Sequence, residues 1–211
     1  MLSRLALLFF LMAALCGCAT EIAGKKQLVP DRVYTEMGNQ LRDGFLVCDS
    51  ESLSIGVKYL SEAEFLESLR SRTSNPSLFD PPPPWLEVIT PFLMTATNRS
   101  EVPVILEGQY AFLSDEKGSE LYSRDYADLY QMLAAEKKGE QVMKVLARLL
   151  FSFAPLVPGQ SREGLLLFGS LDPKAKKASL KLSFLFGGKP LRSQQCLFPF
   201  AVEPLPSDKK E

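Results

Sequence analysis

Short apolar runs with a period of two, each closed by turn residues, constrain the fold of this chain more than any other feature. Strand side chains alternate between faces, so a period of two marks a strand with one face buried. From Leu86 onward, Val88, Thr90, Phe92, Met94 and Ala96 alternate with Glu87, Ile89, Pro91, Leu93 and Thr95. Pro91 has no N–H for a ladder and predicts an edge strand or a bulge. Asn98 to Pro103 reads as a turn, and Val104, Leu106, Gly108, Tyr110 and Phe112 read as one face of the next strand. A second turn, Ser114 to Gly118, precedes Glu120 to Tyr122. Three more strands are expected over Gly164 to Leu171, Ala178 to Phe186 and Gln195 to Val202. Upstream, Gly44 to Asp49 and Leu53 to Tyr59 form a pair around the turn residues Asp49-Ser-Glu-Ser52. Seven or eight short strands with turns between them predict a mainly β chain folded as an antiparallel β-sandwich.

Two stretches break that rhythm. Ser61-Glu-Ala-Glu64 is a capping box and predicts a short N-terminal helix to Arg70, with Phe65, Leu66 and Leu69 inward. A helical insertion is expected over 125–153. One helix runs from Asp125 and breaks at Gly139; a second carries Val142, Val145, Leu146, Leu149, Leu150 and Phe153 at spacings of three and four. Such a stripe packs on its own domain, or else binds a membrane or a partner groove. Pro81 to Pro84 predicts a polyproline II segment, read as a stiff connector into the next strand or as a docking motif.

The first residues are of another kind. Arg4 is followed by eleven apolar residues, Leu5 to Leu15, and then Cys16-Gly17-Cys18 and a polar stretch. A basic tip, a short apolar run and small residues at the end make an export signal. The run is shorter than the ~20 residues of a spanning helix. Leu15 at minus three and Gly17 at minus one make the ending resemble a bacterial lipoprotein signal, cleaved before a lipidated Cys18. That resemblance implies palmitate or similar acyl chains and a membrane anchor in the cell envelope. In a Gram-negative cell, Ala19 in place of Asp implies an outer-membrane lipoprotein on the periplasmic side. The alternative is an ordinary secretory signal cut after Gly17 or Ala19, giving a soluble protein.

Composition narrows the chemistry. There is no histidine, so Ser-His-Asp and Cys-His catalysis are excluded within the chain. The usual zinc ligand is missing as well, and neither a metal nor another cofactor is expected. The 24 basic and 25 acidic residues nearly cancel, which argues against a nucleic-acid binder. Cys48 and Cys196 are the thiols left after acylation of Cys18. An oxidising compartment lets them pair, and as buried free thiols they would act as small apolar residues.

Asn98-x-Ser100, Val102-Pro-Val104, Phe112-Leu-Ser-Asp115-x-x-Gly118, Tyr122, Leu156-Val-Pro-Gly159, Gly164 and Phe168 together resemble the immunoglobulin-like domains of exported bacterial proteins and lipoproteins. That likeness covers about residues 86–190. It implies an immunoglobulin-like sandwich in the envelope and carries no catalytic residues. The expected organisation is a signal over 1–17, a flexible tether over 18–40, strands and a short helix over 41–80 packed on the sandwich, a sandwich with its helical insertion over 81–205, and a polar tail over 206–211.

Local motifs for chemistry are thin. Ser114-x-x-Lys117 has Ser-Lys spacing but lies in a turn. Asp115, Glu116, Glu120, Asp125 and Asp128 could offer oxygens to calcium, or be solvated turn charges. Tyr122, Tyr126 and Tyr130 could stack on carbohydrate. The expectation is therefore a lipid-anchored, non-enzymatic protein that binds or scaffolds another envelope component, a protein partner included. Its contact surface is expected at Tyr126, Tyr130 and Met132, or at a free sheet edge. Two other readings stand beside it: a carrier of an apolar ligand held between sheet and helix, and an accessory lipoprotein of a secretion machine.

Overall fold

The computed structural model describes residues 26–188 and 190–205. The signal, Cys18 and the 206–211 tail lie outside the described residues. Ten strands are present among those described: β1 (Lys26–Pro30), β2 (Asn39–Arg42), β3 (Phe45–Asp49), β4 (Leu53–Tyr59), β5 (Ile89–Asn98), β6 (Val104–Asp115), β7 (Glu120–Tyr122), β8 (Ser161–Gly169), β9 (Lys177–Phe186) and β10 (Arg192–Pro204). The helices are α1 (Glu62–Ser71), α2 (Tyr126–Leu133) and α3 (Gly139–Leu149). The chain is mainly β, in two antiparallel sheets. The first has the order β1-β10-β9-β6-β7 and the second β2-β3-β4-β5-β8.

The sheets face each other across one core. Leu53, Ile55, Val57, Phe92, Met94, Leu166 and Phe168 of the second sheet meet Leu113, Leu180, Leu182, Phe184, Phe198 and Phe200 of the first. A second apolar cluster lies on the other face of the second sheet, where Ile89, Leu165 and Leu167 meet Leu129, Leu133, Val142, Leu146 and Leu149 of the helices. β5 and β8 are thus buried on both faces. This is why Leu165 to Phe168 is a continuous apolar run rather than an alternating one.

The helical stripe is therefore spent within the domain, but it ends before the expected Phe153. α3 stops at Leu149, and Phe151 enters the inter-sheet core instead. Leu150 bridges Leu165 in parallel, and Phe151 N–H donates to the Leu165 carbonyl at 2.8 Å. These contacts, with Arg124 N–H on the Leu167 carbonyl at 2.7 Å, engage the outer edge of β8. Gly164 allows the approach, since a Cβ there would lie 2.5 Å from Phe151 Cα.

Four further expectations are corrected. The expected tether over 18–40 is not a tether from Lys26 on: β1 joins the first sheet, β2, from Asn39, the second, and Leu28 is buried. Residues 41–60 are not an addition packed on the sandwich either, because β3 and β4 are interior strands of the second sheet. Pro91 lies in a central strand, not an edge. Its carbonyl accepts from Leu60 N–H at 3.0 Å just past the end of β4, so its missing N–H falls where that ladder has stopped. Lastly, β6 does not keep one face inward. Five residue steps, Leu106 to Ala111, lie opposite two in β9, Phe184 to Leu182. This bulge changes the parity: Val104 and Leu106 are buried before it, Ala111 and Leu113 after it, and Phe112 turns outward.

Between α1 and β5 the proline run is only partly extended. Short 3-10 turns occupy Pro76–Phe79 and Pro84–Val88, so Pro84 begins a turn instead of closing a polyproline segment. Phe79 and Trp85 are buried there, with Trp85 edge-on to Phe65 of α1 at 6.3 Å.

A narrow seam joins the N-terminal segment to β10. Asp31 N–H donates to the Pro199 carbonyl, Asn39 Nδ2 to the Leu197 carbonyl at 2.7 Å, and Ser50 Oγ to Gln194 Oε1. Cys48 and Cys196 are joined as a disulfide, with Cα atoms 6.0 Å apart, and so link the two sheets.

Candidate binding surface

The helical layer begins with α2. Asp125 caps it: Asp125 Oδ1 accepts from Asp128 N–H at 2.9 Å, and Asp128 Oδ2 from Asp125 N–H at 3.2 Å. Leu129 and Leu133 are buried, while Tyr126 and Tyr130, one turn apart, are each 55% exposed. Met132 is half-buried against the second cluster. At Gly139 the chain turns into α3 so tightly that a Cβ would lie 2.0 Å from the Leu133 carbonyl oxygen.

That turn leaves a cleft of about 360 Å³ between the end of α2 and the start of α3. Tyr130, Glu136, Lys137 and Gln141 line it, over Leu133 and Met143. A smaller groove of about 210 Å³ lies between the proline run and the same turn. Sequence reading reached Tyr130 but missed Glu136, Lys137 and Gln141. Nothing in their local pattern marks them, since they converge only because Gly139 folds the hairpin back.

The other candidate chemistries disperse. Lys117 Nζ pairs with Asp172 Oδ2 at 2.6 Å, and this hydrogen bond raises its pKa, holding the ammonium charged. Ser114 Oγ donates to the Ser179 carbonyl at 3.4 Å. A Ser-Lys nucleophile needs a neutral lysine beside the hydroxyl, and these contacts oppose it. The acidic run is also occupied. Asp115 accepts from the N–H groups of Ser119 and Lys117, Glu116 from those of Lys176 and Lys177, and Glu120 from the Tyr122 hydroxyl. Asp125 and Asp128 cap α2. Among the described residues no group of three or more His, Cys, Asp or Glu could hold a metal ion. Among the same residues, no helix is long and apolar enough to cross a membrane.

No family model matches the chain. No curated protein matches it either. Two solved structures match the chain. One is a functionally unknown protein from Listeria monocytogenes EGD-e, at 12% identity and a TM-score of 0.42, covering 84% of this chain and 88% of that one. The other is a Northeast Structural Genomics Consortium target, at 11% identity and a TM-score of 0.30, covering 75% and 89%.

Proposed function

We propose that the chain is a lipid-anchored, non-enzymatic envelope protein that binds another envelope component through the outer surface of its helical layer. One observation carries the surface assignment: α2 and α3 spend their apolar sides on the second sheet while α2 presents Tyr126 and Tyr130 to solvent. Exposed tyrosines supply contact area at low entropic cost. The anchor and the outer-membrane address rest on the signal at Leu15 to Cys18.

The finer fold reading is immunoglobulin-like. Strand order supports it: β4-β5-β8 against β10-β9-β6-β7 reproduces the A-B-E and G-F-C-C′ arrangement of that fold, with β1 to β3 added at the edges. The disulfide departs from it, joining β3 to β10 rather than the strands in the B and F positions. The apolar-carrier reading is weaker, because Val142, Leu146 and Leu149 pack directly with Leu165 and Leu167 where the ligand would lie.

Crosslinking in intact envelopes, followed by purification of the chain, tests the proposal. Recovery of one partner, lost in Tyr126→Ala/Tyr130→Ala and in the unanchored Cys18→Ala, is expected. Recovery of only abundant proteins, or a partner indifferent to both tyrosines, overturns the surface assignment. An unmodified Cys18 thiol overturns the anchor.

A further inference from the structure

The cleft between α2 and α3 has a chemistry of its own. At about 360 Å³ it falls at the small end of ligand sites, which run from about 300 to 1,000 Å³. Some of its polar groups are already engaged: Lys144 holds Glu140 at 2.7 Å, and the Ser77 carbonyl accepts from Lys138 Nζ at 3.2 Å. Within the described residues, the side chains of Tyr130, Glu136, Lys137 and Gln141 have no hydrogen bond or ion pair with the protein. The cleft therefore offers a donor-only ammonium, an acceptor-only carboxylate, an amide and a phenol that can each do both.

That set selects among ligand classes. An apolar molecule would strip water from Lys137 and Glu136 and return no hydrogen bonds, which is costly. A net anion meets Glu136 and a net cation meets Lys137, adjacent in the chain. A peptide strand finds no ladder in a cleft lined by two helices and a turn. Hydroxyls both donate and accept, so a neutral sugar satisfies both charges at once. Leu133 and Met143 form an apolar floor, and Tyr130 stands beside it as an exposed ring against which a pyranose C–H face can lie. The Gln141 amide can both donate to and accept from an acetamido group.

We infer that this cleft binds the end of an N-acetylated amino-sugar oligosaccharide. The inference deepens the envelope-binding reading above and rests on it for the source of the glycan; the recognition chemistry is local.

The probe is chitotriose, titrated calorimetrically into the full chain in detergent micelles. Saturable binding is expected, at least about tenfold weaker in Tyr130→Ala and Gln141→Ala. It should be unchanged in Tyr122→Ala, and at least about tenfold weaker for maltotriose, which lacks the acetamido group. Both cleft positions are exposed, and circular dichroism checks that each variant is folded. No saturation at millimolar chitotriose overturns the inference. So does equal binding by both cleft variants, or displacement of the sugar by trialanine at equal concentration. If the sugar fails while crosslinking still returns a tyrosine-dependent protein partner, only this inference falls. If chitotriose binds while Cys18 is unmodified, only the anchor falls.

Discussion

Asn98 shows how much one side chain can organise here. It is completely buried, and its Nδ2 donates to the carbonyls of Val102 and Leu156 at 2.8 Å each. Its Oδ1 accepts from Ser100 N–H at 2.9 Å and Ser100 Oγ at 2.7 Å. One residue thus fixes the crossing from β5 to β6 and the approach to β8. Asn98→Ala removes all four of these bonds: the Leu156 and Val102 carbonyls keep the Val104 N–H and the Ser100 hydroxyl, but the half-buried Ser100 N–H loses its acceptor, and each lost bond is worth about 0.5–1.5 kcal/mol. Urea unfolding should show a loss of at least about 2 kcal/mol, and a loss under 0.5 kcal/mol would contradict this role. Asp115 acts similarly in the β6–β7 turn. Hydrogen bonds from the Ser119 and Lys117 amides hold its carboxyl below the ordinary value of 3.8. A depressed acid stabilises the fold above its unfolded value and loses that contribution as pH falls through the folded one. The wild-type denaturation midpoint should therefore drop below pH 3.8 more steeply than that of Asp115→Asn. Parallel profiles would count against it.

At the scale of elements, the seam along β10 matters most. The disulfide closes a loop with a sequence separation of 148, and Asn39 and Asp31 add hydrogen bonds on either side. Removing a native disulfide costs about 2–5 kcal/mol. The Cys48→Ser/Cys196→Ser variant should unfold at correspondingly lower denaturant, and hydrogen exchange should rise first in β1 to β3. Protection lost evenly across both sheets would show that the staple does not hold this seam. The helices owe their positions to local signals. Ser61 and Glu64 close a capping box on α1, and Asp125 and Asp128 close another on α2. Asp125 is the expected helix start, and the second box is legible there as Asp-x-x-Asp.

For the whole molecule, two cores share two strands. β5 and β8 place side chains in both the inter-sheet cluster and the helical cluster, so neither layer can melt without exposing the other. One cooperative transition follows. Trp85, the sole tryptophan, is buried in the helical cluster, so its fluorescence reports that layer while far-ultraviolet circular dichroism reports all the secondary structure, the strands included. Coincident midpoints are expected; a fluorescence change well before the dichroism change would mean that the helices detach independently.

Periodicity by itself determined that the chain is mainly β and where most strands lie, because alternation follows from backbone geometry and the turns carry their own residue chemistry. With the Ser61–Glu64 capping box it also placed three helices and a buried stripe, but not the ends of the last two, since α2 stops at Leu133 rather than near Gly139 and α3 at Leu149. Only the tertiary structure decided what depends on distant partners. Pro91 is central because β4 happens to end beside it. Phe112 faces outward because a bulge changes the parity of β6. Lys26–Pro30 and Asn39–Arg42 are strands because two sheet edges were open to receive them. Cys48 meets Cys196, and Tyr130 shares a cleft with Glu136, Lys137 and Gln141, for the same physical reason: pairing and packing act through space, and a local window of sequence contains only one side of each contact.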